Sequence, residues 1–187
     1  MTNIIIIHGA YGNPNENWFP WLKKELEKLG HNVYTPKFPT PKNQNLNNWL
    51  DVFIEFEKYI YEDTILIGHS LGSSFIINYL EQTNKKIKAS FLVSSAIELL
   101  GNPKFDSINK TFVDKKFNWE KIKSNCNKFY VIHGDNDPHI PITHAYKLHE
   151  NLNSNYLIIE TGGHLNEKAG FITFGILKEY IIKEINQ

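Results

Sequence analysis

Four consecutive isoleucines, Ile4 to Ile7, constrain this chain more than any other feature. Along an extended strand successive side chains point to opposite faces, so an uninterrupted apolar run must be buried on both. Such a strand belongs in a parallel sheet with a helix layer on each side. The run ends at His8-Gly9, and comparable runs recur along the 187 residues. Strands are expected over Asn3–Ile7, His31–Thr35, Asp63–Gly68, Lys88–Ser94, Lys128–His133 and Tyr156–Glu160. Between them, apolar residues near a 3.6-residue period predict helices over Glu16–Leu29, Leu46–Ile60, Ser73–Gln82, Ile142–Asn151 and Thr173–Ile185. Pro36, Pro39 and Pro41 exclude helix or central strand between the second strand and the second helix. The order predicts a single three-layer α/β domain over residues 1–187, with about six mostly parallel strands and helices on both faces. The segment Ala96–Cys126 is the least regular, and is expected to be either a small cap or a loop with a short helix at Asn118–Lys123.

Charge and cysteine usage narrow the function. Lys plus Arg equals Asp plus Glu at 20 each, and no basic cluster invites nucleic acid or a membrane surface. A single cysteine, Cys126, excludes an intrachain disulfide and a multi-cysteine metal site; it sits in an expected loop and carries no chemistry. No basic segment precedes the isoleucines, and no apolar stretch is long enough to span a bilayer, so a cytoplasmic protein is expected. His139, His144 and His149 follow at five-residue spacing, which turns successive rings to different helix faces, so no metal site is expected. No cofactor is expected either.

The chemistry is read from strand ends. Gly68-His69-Ser70-Leu71-Gly72 follows the apolar run Thr64–Ile67 and precedes a helical pattern. A sharp strand-to-helix turn needs small flanking residues and exposes the serine hydroxyl near a helix N-terminus. A serine hydroxyl needs a base, usually histidine, and a carboxylate to fix that histidine's tautomer. In a parallel sheet these groups gather at the carboxyl ends of strands. Two later strand ends carry them: Gly134-Asp135-Asn136-Asp137-Pro138-His139-Ile140-Pro141 and Thr161-Gly162-Gly163-His164. The expected set is Ser70 as nucleophile, Asp137 as acid and His164 as base, in the chain order of α/β-hydrolases. Asp135 competes with Asp137, which is preferred because Pro138 rigidifies its turn. For the oxyanion, the N–H of Leu71 and one N–H from His8-Gly9-Ala10-Tyr11-Gly12 are expected, Ala10 first and Tyr11 behind it. Phe38, Pro39 and Trp49 are expected to wall one side of the substrate crevice. Tyr11 and His69 are expected to border it, His69 chiefly as a packing residue locked in the turn. Trp18 and Trp21 are expected to pack the first helix on the sheet. His133 is expected to be structural.

These residues resemble the small α/β-hydrolases related to retinoblastoma-binding protein 9. The resemblance runs over nearly the whole chain. It is carried by Ile7-His8-Gly9, by Glu16–Leu22 with its two tryptophans, by Pro36–Pro39 followed by Trp49, by the serine turn, by Phe117–Ile122, by Asp137–Pro141 and by Gly162-Gly163-His164. It implies a compact hydrolase fold with a minimal lid and a Ser70–Asp137–His164 triad. The expected function is a serine hydrolase acting on a small acyl ester, thioester or amide through an acyl-enzyme. The alternative is a non-catalytic protein-interaction module on the same fold, with no partner named by the sequence. Haloperoxidase-like and carbon–carbon-bond hydrolases share the triad; a dehalogenase needs an aspartate where Ser70 stands.

Overall fold

A computed structural model describes all residues, 1–187. Six strands form one parallel sheet: β1 (Asn3–Ile7), β2 (Asn32–Tyr34), β3 (Ile65–His69), β4 (Ile87–Val93), β5 (Cys126–Gly134) and β6 (Asn155–Ile159), in the order β2-β1-β3-β4-β5-β6. Seven α-helices connect and cover it: α1 (Phe19–Lys28), α2 (Leu46–Ile54), α3 (Leu71–Gln82), α4 (Pro103–Val113), α5 (Trp119–Ser124), α6 (Thr143–Leu152) and α7 (Gly175–Ile185).

The isoleucine run divides as its period dictates. Ile4 and Ile6 enter one core with α1 and α7, through Trp18, Phe19, Leu22, Leu177 and Ile181. Ile5 and Ile7 enter the other, where α2 to α6 contribute Trp49, Phe75, Phe112, Ile122 and Leu148. Because β1 sits between β2 and β3, the chain reverses its direction of travel across the sheet there. That reversal opens a crevice at the carboxyl ends of β1 and β3.

Several boundaries differ from the sequence expectation. The first helix begins at Phe19, because Glu16–Trp18 form a turn in which Asn17 takes a left-handed φ of 53°. The second stops at Ile54 and is followed by a 3₁₀ turn, Glu57–Tyr59, in place of one helix to Ile60. Cys126 does not lie in a loop. It is the first residue of β5, buried, with its Sγ against the Lys128 carbonyl, and burial pushes its thiol up. The segment Ala96–Cys126 folds as two helices. The unforeseen one, α4, carries a readable start signal, since Asn102 caps it by accepting from the Lys104 N–H and Pro103 occupies its first turn.

Candidate active site

β3 ends at His69 and α3 starts at Leu71, so Ser70 alone turns the chain. Its φ of 54° and ψ of −122° lie in a region that costs a serine of order 1–3 kcal/mol. The surroundings enforce that conformation. A Cβ on Gly68 would stand 2.5 Å from Ser73 Cα, and one on Gly72 would overlap the Ile7 carbonyl oxygen. The Ser73 hydroxyl donates to the Gly68 carbonyl at 2.8 Å, and the Ser70 N–H donates to the Val93 carbonyl at 2.8 Å. The loop after β1 passes alongside, close enough that a Cβ on Gly9 would stand 2.9 Å from Ser70 Cβ.

Beyond β5, Asp137 is held by its own turn. Its Oδ1 accepts from the His139 N–H at 2.8 Å and the Ile140 N–H at 3.1 Å. Its Oδ2 accepts from His164 Nδ1 at 2.7 Å. An ionised carboxylate only accepts, so this bond fixes the proton on Nδ1 and leaves Nε2 as the free acceptor. The Asp137 side chain is fully buried, whereas His164 keeps 10% of its side chain exposed. Burial alone would raise the Asp137 carboxyl. The His164 hydrogen bond and charge, with the two backbone donors, outweigh burial and hold it below the usual carboxylate range. Asp135 faces elsewhere, accepting from the Thr161 N–H at 2.8 Å.

Ser70 and His164 line the same crevice. The serine hydroxyl makes no hydrogen bond to the imidazole in this structure. Of the nearby N–H groups, Leu71 supplies the first of α3, where helix donors lack intrahelical partners. The Ala10 N–H has no acceptor and Ala10 lines the crevice. The Tyr11 N–H is taken by Thr40 Oγ1 at 2.6 Å, which removes it as an alternative donor. The Tyr11 side chain, 46% exposed, borders the crevice mouth.

Three other histidines support the loops. His69 is buried among Trp18, Phe19 and His164, its ring 4.9 Å from that of His164. Its Nε2 donates to the His164 carbonyl at 2.9 Å, and burial drives its pKa down to about 3, so it stays neutral. It borders the crevice floor, but its hydrogen-bonding atom points into the loop that carries His164. The Trp18 indole reinforces the same loop by donating to the Leu165 carbonyl at 2.9 Å. His8 accepts from the Phe38 N–H at 3.0 Å through Nε2 and donates from Nδ1 to the Gly9 carbonyl, tying the β1 loop to the proline-rich segment. His133 donates from Nε2 to the Ile140 carbonyl at 3.0 Å, and lies 3.7 Å from Asp137 Oδ2.

Two expectations are corrected. Phe38 and Trp49 do not wall the crevice. They are 2% and 0% exposed, stack on each other at 4.5 Å and pack against Phe75 beneath the β1 loop. Rings of that size gain more from the core than from a rim, and the Trp49 N–H is satisfied internally by the Pro39 carbonyl at 2.9 Å. The crevice wall comes instead from residues the sequence did not single out, Leu100, Lys104, Phe105 and Asn109 in and before α4 with Asn166 and Lys168, and from His139, which the sequence raised only as a metal ligand. The His139 ring sits 5.0 Å from that of His164 and 5.8 Å from Phe105. Asn102-Pro103 was the one signal that a helix stood there. His144 and His149 face backbone groups, of Ile97 and Ser154, and no group of three or more His, Cys, Asp or Glu gathers as metal ligands. No helix is long and apolar enough to cross a membrane.

The pattern of the family described as Serine hydrolase matches residues 4–182. The chain is 30% identical to YdeN of Bacillus subtilis over 187 residues, covering 97% of each. It is 28% identical to Serine hydrolase RBBP9 of Rattus norvegicus, covering 87% of each. The crystal structure of the ydeN gene product superposes with a TM-score of 0.92 at 26% identity, over all of both chains. Est1E from Butyrivibrio proteoclasticus shares the fold, with a TM-score of 0.77 at 18% identity, over 100% of this chain and 90% of its own. A six-stranded α/β-hydrolase fold and a family match over almost its full length make this chain a hydrolase, and it belongs to the serine hydrolase family.

Proposed function

We propose that the protein cleaves small acyl esters, or the corresponding thioesters or amides, through an acyl-enzyme on Ser70. The observation that carries this reading is the 2.7 Å bond between His164 Nδ1 and a fully buried Asp137 carboxylate, on the wall of the crevice that Ser70 lines. His164 Nε2 takes the Ser70 proton as Oγ attacks the substrate carbonyl, and returns it to the leaving group. Asp137 orients the ring and stabilises the imidazolium. The Leu71 and Ala10 N–H groups hold the oxyanion, a role in which one donor is typically worth about 10²–10³ in kcat. Water then repeats the sequence and frees Ser70. A catalytic hydrogen bond such as Ser70–His164 commonly tightens only when substrate fills the site.

Fluorophosphonate labelling tests it directly. Wild type is expected to form one Oγ–phosphorus bond with loss of fluoride, and Ser70→Ala to stay unlabelled. An alanine variant that labels as well as wild type would end the proposal. A wild type inert both to the probe and to short p-nitrophenyl esters would favour the interaction-module reading.

A further inference from the structure

The crevice has two lobes that meet at Ser70 and His164, and their charges differ. One, of about 460 Å³, is polar and carries two carboxylates, Glu16 and Glu167, beside Asn17. Burial raises the Glu16 carboxyl, and the Glu167 charge adds to the shift against a backbone hydrogen bond from Asn13. The other lobe, of about 320 Å³, is walled by Ala96, Leu100, Phe105 and Ile140. Its ionisable lining consists of Lys104, Lys168, Tyr11 and two histidines, with no carboxylate. Lys168 stands where the two lobes join.

Neither lysine is neutralised. Lys115, Lys147 and Lys178 all pair with glutamates elsewhere, but no carboxylate lies within ion-pair distance of Lys104 or Lys168. Lys104 Nζ instead sits 5.9 Å from the centroid of the Tyr11 ring. Tyr11, at a φ of 59°, is fixed by the Thr40 hydroxyl on its N–H. An aromatic wall runs from it through Phe105 and His139 to His164, at ring separations of 6.4, 5.8 and 5.0 Å.

An apolar lobe rimmed by two unpaired ammonium groups fits an arm that is greasy along its length and anionic at its end. The carboxylates of the opposite lobe repel that same arm, so the two lobes sort it in one direction. We propose that the preferred substrates are esters bearing a carboxylate on a short apolar or aromatic arm, which fills the α4 lobe and meets Lys104 and Lys168. This rests on the acyl-transfer reading of Ser70, His164 and Asp137. The carboxylate can belong to the acyl or to the alcohol part; the crevice chemistry is the same.

Paired substrates test it. On the acyl side, mono-4-nitrophenyl adipate is compared with 4-nitrophenyl hexanoate; on the alcohol side, 3-acetoxybenzoate with phenyl acetate. In at least one pair, the carboxylate ester is expected to have the higher kcat/KM, by roughly two- to fivefold at low salt, the upper part of the range that exposed charge pairs supply. Raising the salt to shorten the screening length should shrink that ratio. Lys104→Met and Lys168→Met should each shrink it further, and Lys104→Glu should invert it. Neutral esters equal to or better than their charged partners in both pairs, with the variants leaving both ratios unmoved, overturn this inference while the acyl-transfer reading stands. Absence of turnover on all four esters together with absence of fluorophosphonate labelling overturns that reading, and this inference with it.

Discussion

Gly134, at the end of β5, runs so close to Gly163 that a Cβ on Gly134 would overlap the Gly163 carbonyl oxygen. This approach locks the turn that carries Asp137 to the turn that carries His164. Asn136 Oδ1 adds a hydrogen bond from the Gly163 N–H at 2.7 Å. Gly134→Ala must push the two turns apart. It is expected to destabilise the protein by about 1–3 kcal/mol, the usual cost of overpacking. It should also lower kcat by at least tenfold, because the Asp137–His164 bond is stretched. Thermal unfolding and ester kinetics on the same preparation check both; a fully active variant with lowered Tm would show that the turns are not coupled to the chemistry.

The two aspartates of the β5 turn should separate cleanly. Asp137→Asn leaves the shape but lets the side-chain amide present a donor to His164, favouring the wrong tautomer; the expected loss in kcat is about 10³–10⁴. Asp135→Asn keeps an oxygen for the Thr161 N–H and is expected to stay within threefold of wild type. Comparable losses in the two variants would overturn the assignment of Asp137.

Large aromatics with opposite placements give a second contrast. Trp49→Ala removes a fully buried ring and should cost about 3–5 kcal/mol. Its chain-length preference among p-nitrophenyl esters should match wild type, since Trp49 does not line the crevice. Phe105→Ala should leave Tm nearly unchanged and shift the preference towards longer or bulkier arms, because Phe105 is a half-buried wall of the α4 lobe. A chain-length shift in the Trp49 variant alone would reverse this assignment.

Acid should weaken the fold in two stages. His8, His69, His133 and His144 are all lowered from 6.5, by burial first in each case. The unfolded chain therefore binds more protons than the native one below about pH 6.5. Stability is full above that value and falls as pH drops towards the native pKa values, which for His69 reaches about 3. Asp137 is held below its usual 3.8, so its contribution is present above that pH and is lost only as pH falls further. Tm is expected to decline from about pH 6.5 downward, and His69→Gln, which keeps a side-chain donor available for the His164 carbonyl, should flatten that decline. A Tm that holds level from pH 7 to pH 4 would contradict the neutral buried histidines.

The amino-acid sequence by itself determined the layer architecture. Strands apolar on both faces have only one stable setting, and the period-two split of Ile4–Ile7 between two cores follows from strand geometry. It also determined the turn at Ser70, since Gly68 and Gly72 mark backbone approaches that any Cβ would block. Which aspartate faces His164 was decided by the tertiary structure, because Asp135 and Asp137 sit in the same short turn and differ only in which backbone donors each can reach. The same holds for Phe38 and Trp49 against Phe105 and His139. An aromatic residue carries no local mark of whether it fills a core or lines a crevice, and that depends on where α4 docks against α3, an outcome of packing between segments far apart in the chain.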